Sequence, residues 1–289
     1  MAAPILKWAG GKRQLLAELT ARFPVDYRHY HEPFIGGGAV FFALEPAGGS
    51  INDLNDRLVT FYEVVREWPD ALIEENRTHE HTDEYYYEAR EEFNNLRTVD
   101  EKTRGQQIRE ASLLLYLNRT GFNGLYREND DGEFNVPVGT YANPDWVRAE
   151  SIRAAHRVLQ DVTLYNQDFA YIEAHAEPGD LVYFDPPYQP VSETADFTEY
   201  QAEGFGKDDQ RRLRDVAVAL DEAGVSVVLS NSPPVAELYE GFEAFTVETV
   251  GATRAINSDA ENRDEVAEVI ITNVPSDERQ RRTLSEFGE

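Results

Sequence analysis

Four consecutive apolar residues, Leu181-Val182-Tyr183-Phe184, run directly into Asp185-Pro186-Pro187-Tyr188. A short unbroken apolar run is the pattern of a strand buried on both faces, as in the interior of a parallel sheet. Two prolines end it, because neither has an N–H with which to extend a ladder. The turn therefore keeps carbonyl acceptors without matching donors. A carboxylate and an aromatic ring follow the strand at its carboxyl end, where open α/β sheets bind ligands.

The rest of the chain fits such a sheet. Runs near 30–33 and 50–53 flank a Gly-rich turn and a helix at Ala39–Leu44, forming a βαβ unit. Apolar runs at 162–165, 225–229 and Val266–Thr272 read as further strands, and 208–223 and 234–239 as helices. Residues 57–160 differ, being polar, charged and helical in period, with the best helices at Asp83–Leu96 and 106–118. Within them the Gly/Asn-rich stretch 118–140 reads as loops and a hairpin. The expected organisation is an α/β domain from 1–56 and 161–274, split by a mostly helical domain at 57–160. A charged tail, 275–289, is expected to fray.

Composition narrows the function. There are no cysteines, which removes disulfides, thiolate metal sites and cysteine nucleophiles. No apolar run is long enough to span a membrane, and the N-terminus lacks the pattern of a signal peptide, so a cytoplasmic protein is expected. The net charge is −27, and lysine occurs only at Lys7, Lys12, Lys102 and Lys207. Taken alone, that charge argues for a small-molecule substrate and against a polyanion. It is also the halophilic pattern of a protein in concentrated salt, where at 1 M the screening length is about 3 Å. There the counterion-release term of nucleic-acid binding has faded, and base contacts carry more of the affinity.

The turn Glu32-Pro33-Phe34-Ile35-Gly36-Gly37-Gly38 lets backbone approach a ligand, although a plain βα connection would read the same way. The next strand ends at Asn52-Asp53, and an acid there is placed to take ribose hydroxyls. Lys7-Trp8-Ala9-Gly10-Gly11-Lys12 lacks the upstream glycine and the trailing Ser/Thr of a phosphate loop, so a nucleoside triphosphatase is rejected. Its Trp and Lys suit an adenine ring and a carboxylate, or else a basic surface turn. Asp185-Pro186-Pro187-Tyr188 suits a planar aromatic amine. Asp185 and the Pro186 carbonyl accept its two N–H bonds, Pro187 stiffens the turn, and Tyr188 stacks on an extruded base.

On these motifs, in this order, the chain resembles the Dam-type (D12 class, alpha group) DNA adenine-N6 methyltransferases. Further matching segments are Asn52–Asn55 (residues 52–55), 118–139, Gln167-Asp168-Phe169, Leu229-Ser230-Asn231 and Arg254-Ala255-Ile256-Asn257-Ser258. The resemblance implies a Rossmann-like methyltransferase sheet with a reversed last strand and an inserted target-recognition domain. It implies S-adenosylmethionine as methyl donor, no metal, a monomer, and double-stranded DNA from which adenine is flipped, within GATC. Carried over by match, Trp8, Lys12, Pro33, Phe34, Gly36, Asp53, Asp168, Phe169 and Asp185 line the cofactor site. Asp53 holds the ribose, Asp168 accepts from the cofactor's adenine amine, and Phe169 packs on that ring. The segment 118–127 matches the recognition hairpin, with Arg119, Phe122, Asn123, Leu125, Arg127 and Pro137 at the DNA. Arg127 is the candidate for a bidentate guanine contact, a surface salt bridge being the alternative. Thr140 departs from the pattern where some relatives carry a basic residue.

Other readings have less support. Cytosine C5 methylation needs a thiolate the chain lacks. Cytosine N4 methylation uses the same amine chemistry but more often with Ser at position 185. A protein-glutamine methyltransferase would favour Asn there and leaves the inserted domain without a purpose. A catalytically silent DNA-binding module does not need the intact motif.

Overall fold

The computed structural model describes residues 2–10, 12–189, 205–252 and 266–280. Their strands are β1 (Tyr30–Glu32), β2 (Gly49–Asn52), β3 (Thr163–Tyr165), β4 (Leu181–Phe184), β5 (Ser226–Asn231), β6 (Thr246–Ala252) and β7 (Val266–Thr272). The α-helices are α1 (Leu16–Thr20), α2 (Ala39–Leu44), α3 (Asp56–Glu67), α4 (Pro69–Asn76), α5 (Asp83–Leu96), α6 (Arg104–Thr120), α7 (Ala149–Leu159) and α8 (Lys207–Glu222). The chain divides into two compact units. One comprises Met1–Gly11, Gly36–Ala47 and Asp53–Asn166, the other Lys12–Ile35, Gly48–Asn52 and Gln167–Glu289.

The second unit carries most of a seven-stranded sheet, with its six strands in the order β2-β1-β4-β5-β7-β6. β4 is buried at every residue, as its unbroken apolar run requires, and lies between parallel neighbours. Its register with β5 pairs Phe184 with Leu229. β7 runs antiparallel to both β5 and β6, so the sheet is Rossmann-like with a reversed strand, as expected. β6 has no counterpart among the strands expected from the sequence. It is an edge strand carrying Thr246, Glu248 and Thr249, and Val247 on it is 37% exposed. Edges need such polar residues to stay soluble, which removes the apolar signature. The helix expected at 234–239 is a 3-10 turn, Pro233–Tyr239.

Within the expected fraying tail, residues 278–280 are docked, with Val25 N donating to Glu278 O at 2.9 Å. Gln280 N donates to Phe23 O at 2.9 Å, and Arg279 is ion-paired to Glu248. Residues 281–289 and the 254–258 motif lie outside the described residues.

The first unit is built around α6, which is buried from Glu110 through Asn118 and flanked by α3, α4 and α5. A helix surrounded on all sides is apolar all round and shows little periodicity. It starts earlier than the sequence suggested because Thr103 and Gln106 form a capping box. Glu110, fully buried on α6, accepts from Arg57 Nε and from Lys102 Nζ, each at 3.0 Å. The Arg57 guanidinium lies 3.2 Å from the Phe93 ring centroid. Residues 118–140 form a loop pinned by the isolated bridges Gly121↔Val138 and Glu128↔Phe134 rather than a regular hairpin. Among the described residues, no helix is long and apolar enough to cross a membrane.

Candidate active site

β4 delivers Asp185 at its carboxyl end, and β5 beside it supplies one of its partners. The Phe184–Leu229 register sets Ser230 next to Asp185, and Ser230 Oγ donates to Asp185 Oδ1 at 3.0 Å. The Tyr183 hydroxyl lies 2.9 Å from the same Ser230 Oγ. Lys12, in a 3-10 turn at Lys12–Gln14, places Nζ 2.9 Å from Asp185 Oδ1. Burial raises the Asp185 pKa above the usual carboxylate value, and the Lys12 charge and the Lys12 and Ser230 hydrogen bonds oppose the rise.

Two carbonyls at the double-proline turn are held by side-chain donors. Gln210 Nε2 donates to Pro187 O at 2.9 Å, and Ser232 Oγ donates to Gln189 O at 2.5 Å. Asn231, at the end of β5, donates through Nδ2 to Gln210 Oε1 at 3.1 Å. Among the described residues, no protein donor reaches the Pro186 carbonyl. The turn therefore presents a free carbonyl next to the Asp185 carboxylate. Tyr188 donates its hydroxyl to Glu268 Oε2 at 2.6 Å, and Lys12 Nζ lies 4.4 Å from the Tyr188 ring centroid.

The loops after the neighbouring strands form a second cluster in the same unit. Asn52 Nδ2 donates to Pro33 O and to Gln167 O, each at 2.9 Å, and Asn52 Oδ1 accepts from Gln167 N at 2.8 Å. One side chain thus ties the turn after β1 to the segment after β3. The Phe34 and Phe169 rings stack at 5.5 Å, and Phe34 meets Phe184 edge-on at 6.3 Å. Asp168 caps the 3-10 turn Phe169–Ala174, its Oδ1 accepting from Ala170 N at 3.0 Å.

The first unit holds the remaining residues expected at the cofactor. Gly36 and Gly38 have φ of +46° and +68°, a region open to glycine at little cost. A Cβ on Gly37 would lie 2.7 Å from Trp8 Cβ, so the turn must be bare for Trp8 to pack on it. Gly36 N donates to Asp53 Oδ2 and Asn55 N to Asp53 Oδ1, each at 3.0 Å. Burial raises the Asp53 pKa, and these backbone donors oppose it. Trp8 stacks on Tyr126 with ring centroids 5.4 Å apart.

The residues expected at DNA share the 118–140 loop of that unit. Phe122 is 50% exposed, Asn123 is exposed with a left-handed φ of 54°, and Pro137 is exposed while its carbonyl accepts from Phe122 N at 2.9 Å. Leu125 is half-buried. Arg127 Nε donates to Asn135 Oδ1 at 2.7 Å, and Arg119 Nε to Asp145 O at 3.1 Å. Asn118 clamps the loop to the N-terminal segment. It accepts from Lys7 N at 2.8 Å and donates to Lys7 O at 2.7 Å and Gly124 O at 3.0 Å.

Comparison with known proteins decides the family. The model for D12 class N6 adenine-specific DNA methyltransferases matches residues 8–256. The chain belongs to that family. Among its relatives is a type II methyltransferase, M1.LlaDCHI, of Lactococcus lactis subsp. cremoris, 42% identical over 93% of this chain and 95% of that protein. Another is the type II methyltransferase M.MjaIII of Methanocaldococcus jannaschii, 37% identical over 93% and 98%. The DNA adenine methylase of Escherichia coli K12 is 34% identical over 93% and 95%. As a D12 class methyltransferase, the protein methylates N6 of adenine in DNA, and the cytosine-N4 and silent-module readings are not favoured. The family implies S-adenosylmethionine as the donor.

Ser230, Glu268 and Arg212, which contact Asp185, Tyr188 and Asp168, received no role from the sequence. The matching segment Leu229-Ser230-Asn231 flagged the first without saying what it does. The other two gave no local signal.

Proposed function

We propose that this methyltransferase acts on an adenine flipped from duplex DNA, within GATC, with Asp185 and the Pro186 carbonyl as paired acceptors for the target amine. The free Pro186 carbonyl beside the Asp185 carboxylate carries this reading. When bound, S-adenosylmethionine supplies an electrophilic methyl group on sulfur. The exocyclic nitrogen is a poor nucleophile while its lone pair is delocalised into the ring. Two acceptors aligned with its N–H bonds draw that lone pair back onto nitrogen. The raised Asp185 pKa also favours uptake of the proton that nitrogen sheds. Tyr188, tethered by Glu268, gives the flipped base a ring to stack on.

The donor fits the residues present. Asp53 keeps acceptor capacity beyond its backbone donors for ribose hydroxyls. Asp168 Oδ2 takes no protein donor among the described residues, leaving an acceptor for an adenine amine. Trp8, Lys12, Pro33, Phe34, Gly36 and Phe169 complete the proposed donor site.

Arg119, Phe122, Asn123, Leu125, Arg127 and Pro137 form the proposed DNA-reading loop. The net charge of −27 supports action in concentrated salt. The enzyme is proposed to work as a cytoplasmic monomer, and the type II names of two relatives support a place beside a restriction endonuclease.

The test is methyl transfer in molar salt to duplexes carrying GATC or a single-base variant of it, followed by identification of the modified base. Labelled N6-methyladenine in GATC alone supports the proposal, and equal labelling of the variants removes the GATC assignment. Asp185→Ala should lower kcat by at least about 10²-fold, the usual scale for a lost transition-state hydrogen bond. Its DNA binding should persist, and unchanged turnover would remove Asp185 from the mechanism.

A further inference from the structure

Arg212, on α8, touches both residues proposed for the donor's adenine. Its Nη2 donates to Asp168 Oδ1 at 2.7 Å, and its guanidinium carbon lies 4.8 Å from the Phe169 ring centroid. A third contact fixes it from its own helix, Nη1 donating to Asp209 Oδ1 at 3.1 Å. Asp209 is itself held, its Oδ2 accepting from Gly206 N at 3.0 Å.

These contacts have a consequence for Asp168. Its protein donors, Ala170 N and Arg212 Nη2, converge on Oδ1. The carboxylate cannot rotate without breaking both, one of them charge-assisted. Oδ2 is left as the acceptor with capacity to spare. Phe169 supplies a flat face on which the guanidinium rests, and a planar fork keeps that geometry better than a flexible ammonium. The pair is half exposed, with 51% and 47% of the two side chains accessible, so its net contribution to stability is small. An arrangement of four groups that adds little to stability is explained by orienting Asp168.

We propose that Arg212 is a positioning residue for recognition of the donor's adenine, fixing Asp168 so that Oδ2 accepts the exocyclic amine. This rests on the reading of Asp168 and Phe169 as the adenine subsite. The discriminating probe is a pair of ligands differing only at the amine. S-adenosylhomocysteine carries it, whereas S-inosylhomocysteine carries a carbonyl that cannot donate to a carboxylate.

Binding of both ligands to the full-length wild type, Arg212→Met, Arg212→Lys and Asp168→Asn is measured by calorimetry in high salt. Arg212→Met should weaken S-adenosylhomocysteine on the order of fivefold, the scale of one net hydrogen bond, and leave S-inosylhomocysteine unchanged. Arg212→Lys should recover part of the loss. In turnover, the donor KM should rise while kcat holds. Equal loss for both ligands, or unchanged or tighter binding of S-adenosylhomocysteine to Arg212→Met, overturns the role of Arg212. If the wild type does not prefer adenine, or Asp168→Asn keeps that preference, the subsite assignment falls as well. The two failures are therefore distinguishable.

Discussion

Lys12 is ion-paired to Asp185 at 2.9 Å, with the two side chains 6% and 22% exposed. The carboxylate proposed to accept the target amine is thereby held by a nearly buried cation. Burial raises the Asp185 pKa, and Lys12 is the largest influence pulling it back down.

Lys12→Met should therefore move the acidic limb of the kcat profile to higher pH. As pH falls through the Asp185 pKa the carboxylate takes a proton and loses acceptor capacity. Without Lys12 that pKa is higher, so activity is lost sooner on acidification. A kcat–pH series on the two proteins measures the shift, and an unmoved limb would detach Lys12 from the ionisation of Asp185.

Tyr188 separates ring from hydroxyl. Tyr188→Phe loses the bond to Glu268 but keeps a stacking face, so kcat/KM should fall only a few-fold. Tyr188→Ala should cost about 1–3 kcal/mol in kcat/KM, the range found for one base stacked on an aromatic side chain. Equal effects of the two changes would mean that the Glu268 tether, not the ring, is what matters.

Arg127→Ala should relax discrimination at one guanine by about 1–3 kcal/mol while other positions keep theirs. Methylation rates on single-base variants of the target duplex read this directly. A uniform loss across all duplexes would mark Arg127 as a phosphate contact.

Glu110→Ala should destabilise the protein by about 3–5 kcal/mol, because it strands the Arg57 and Lys102 charges it now pairs. Denaturant titration in high salt measures this. A loss below about 1 kcal/mol would place those charges in water once Glu110 is gone.

What the sequence disclosed and what it concealed have a common cause. Asp185-Pro186-Pro187-Tyr188 and Gly36-Gly37-Gly38 were legible because proline and glycine act on their own backbone, within a few residues. The strand of β4 was legible for a similar reason, since burial on both faces leaves an unbroken apolar run. Ser230 and Glu268 depend instead on register. Ser230 meets Asp185 because Leu229 pairs with Phe184, and Ser230 pairs in turn with Ile270, two residues from Glu268. No local pattern encodes such pairings. β6 was missed because an edge strand carries the polar residues of a loop. The full length of α6 was missed because a helix buried all round has no polar stripe.

The β1–β4 pairing sets an order on folding. β1 lies between β2, which follows it closely in the chain, and β4, whose residues 181–184 come much later. A chain emerging from the ribosome can join β1 to β2 early, but the other edge of β1 stays open until β4 has been made. Contacts of such large sequence separation are slow to form, and an unpaired strand edge is a template for aggregation in the meantime. The open edge of β1 is thus closed by the same strand that delivers Asp185, so the chain gains that pairing and the carboxylate proposed to accept the target amine together, before β5, β7 and β6 extend the sheet.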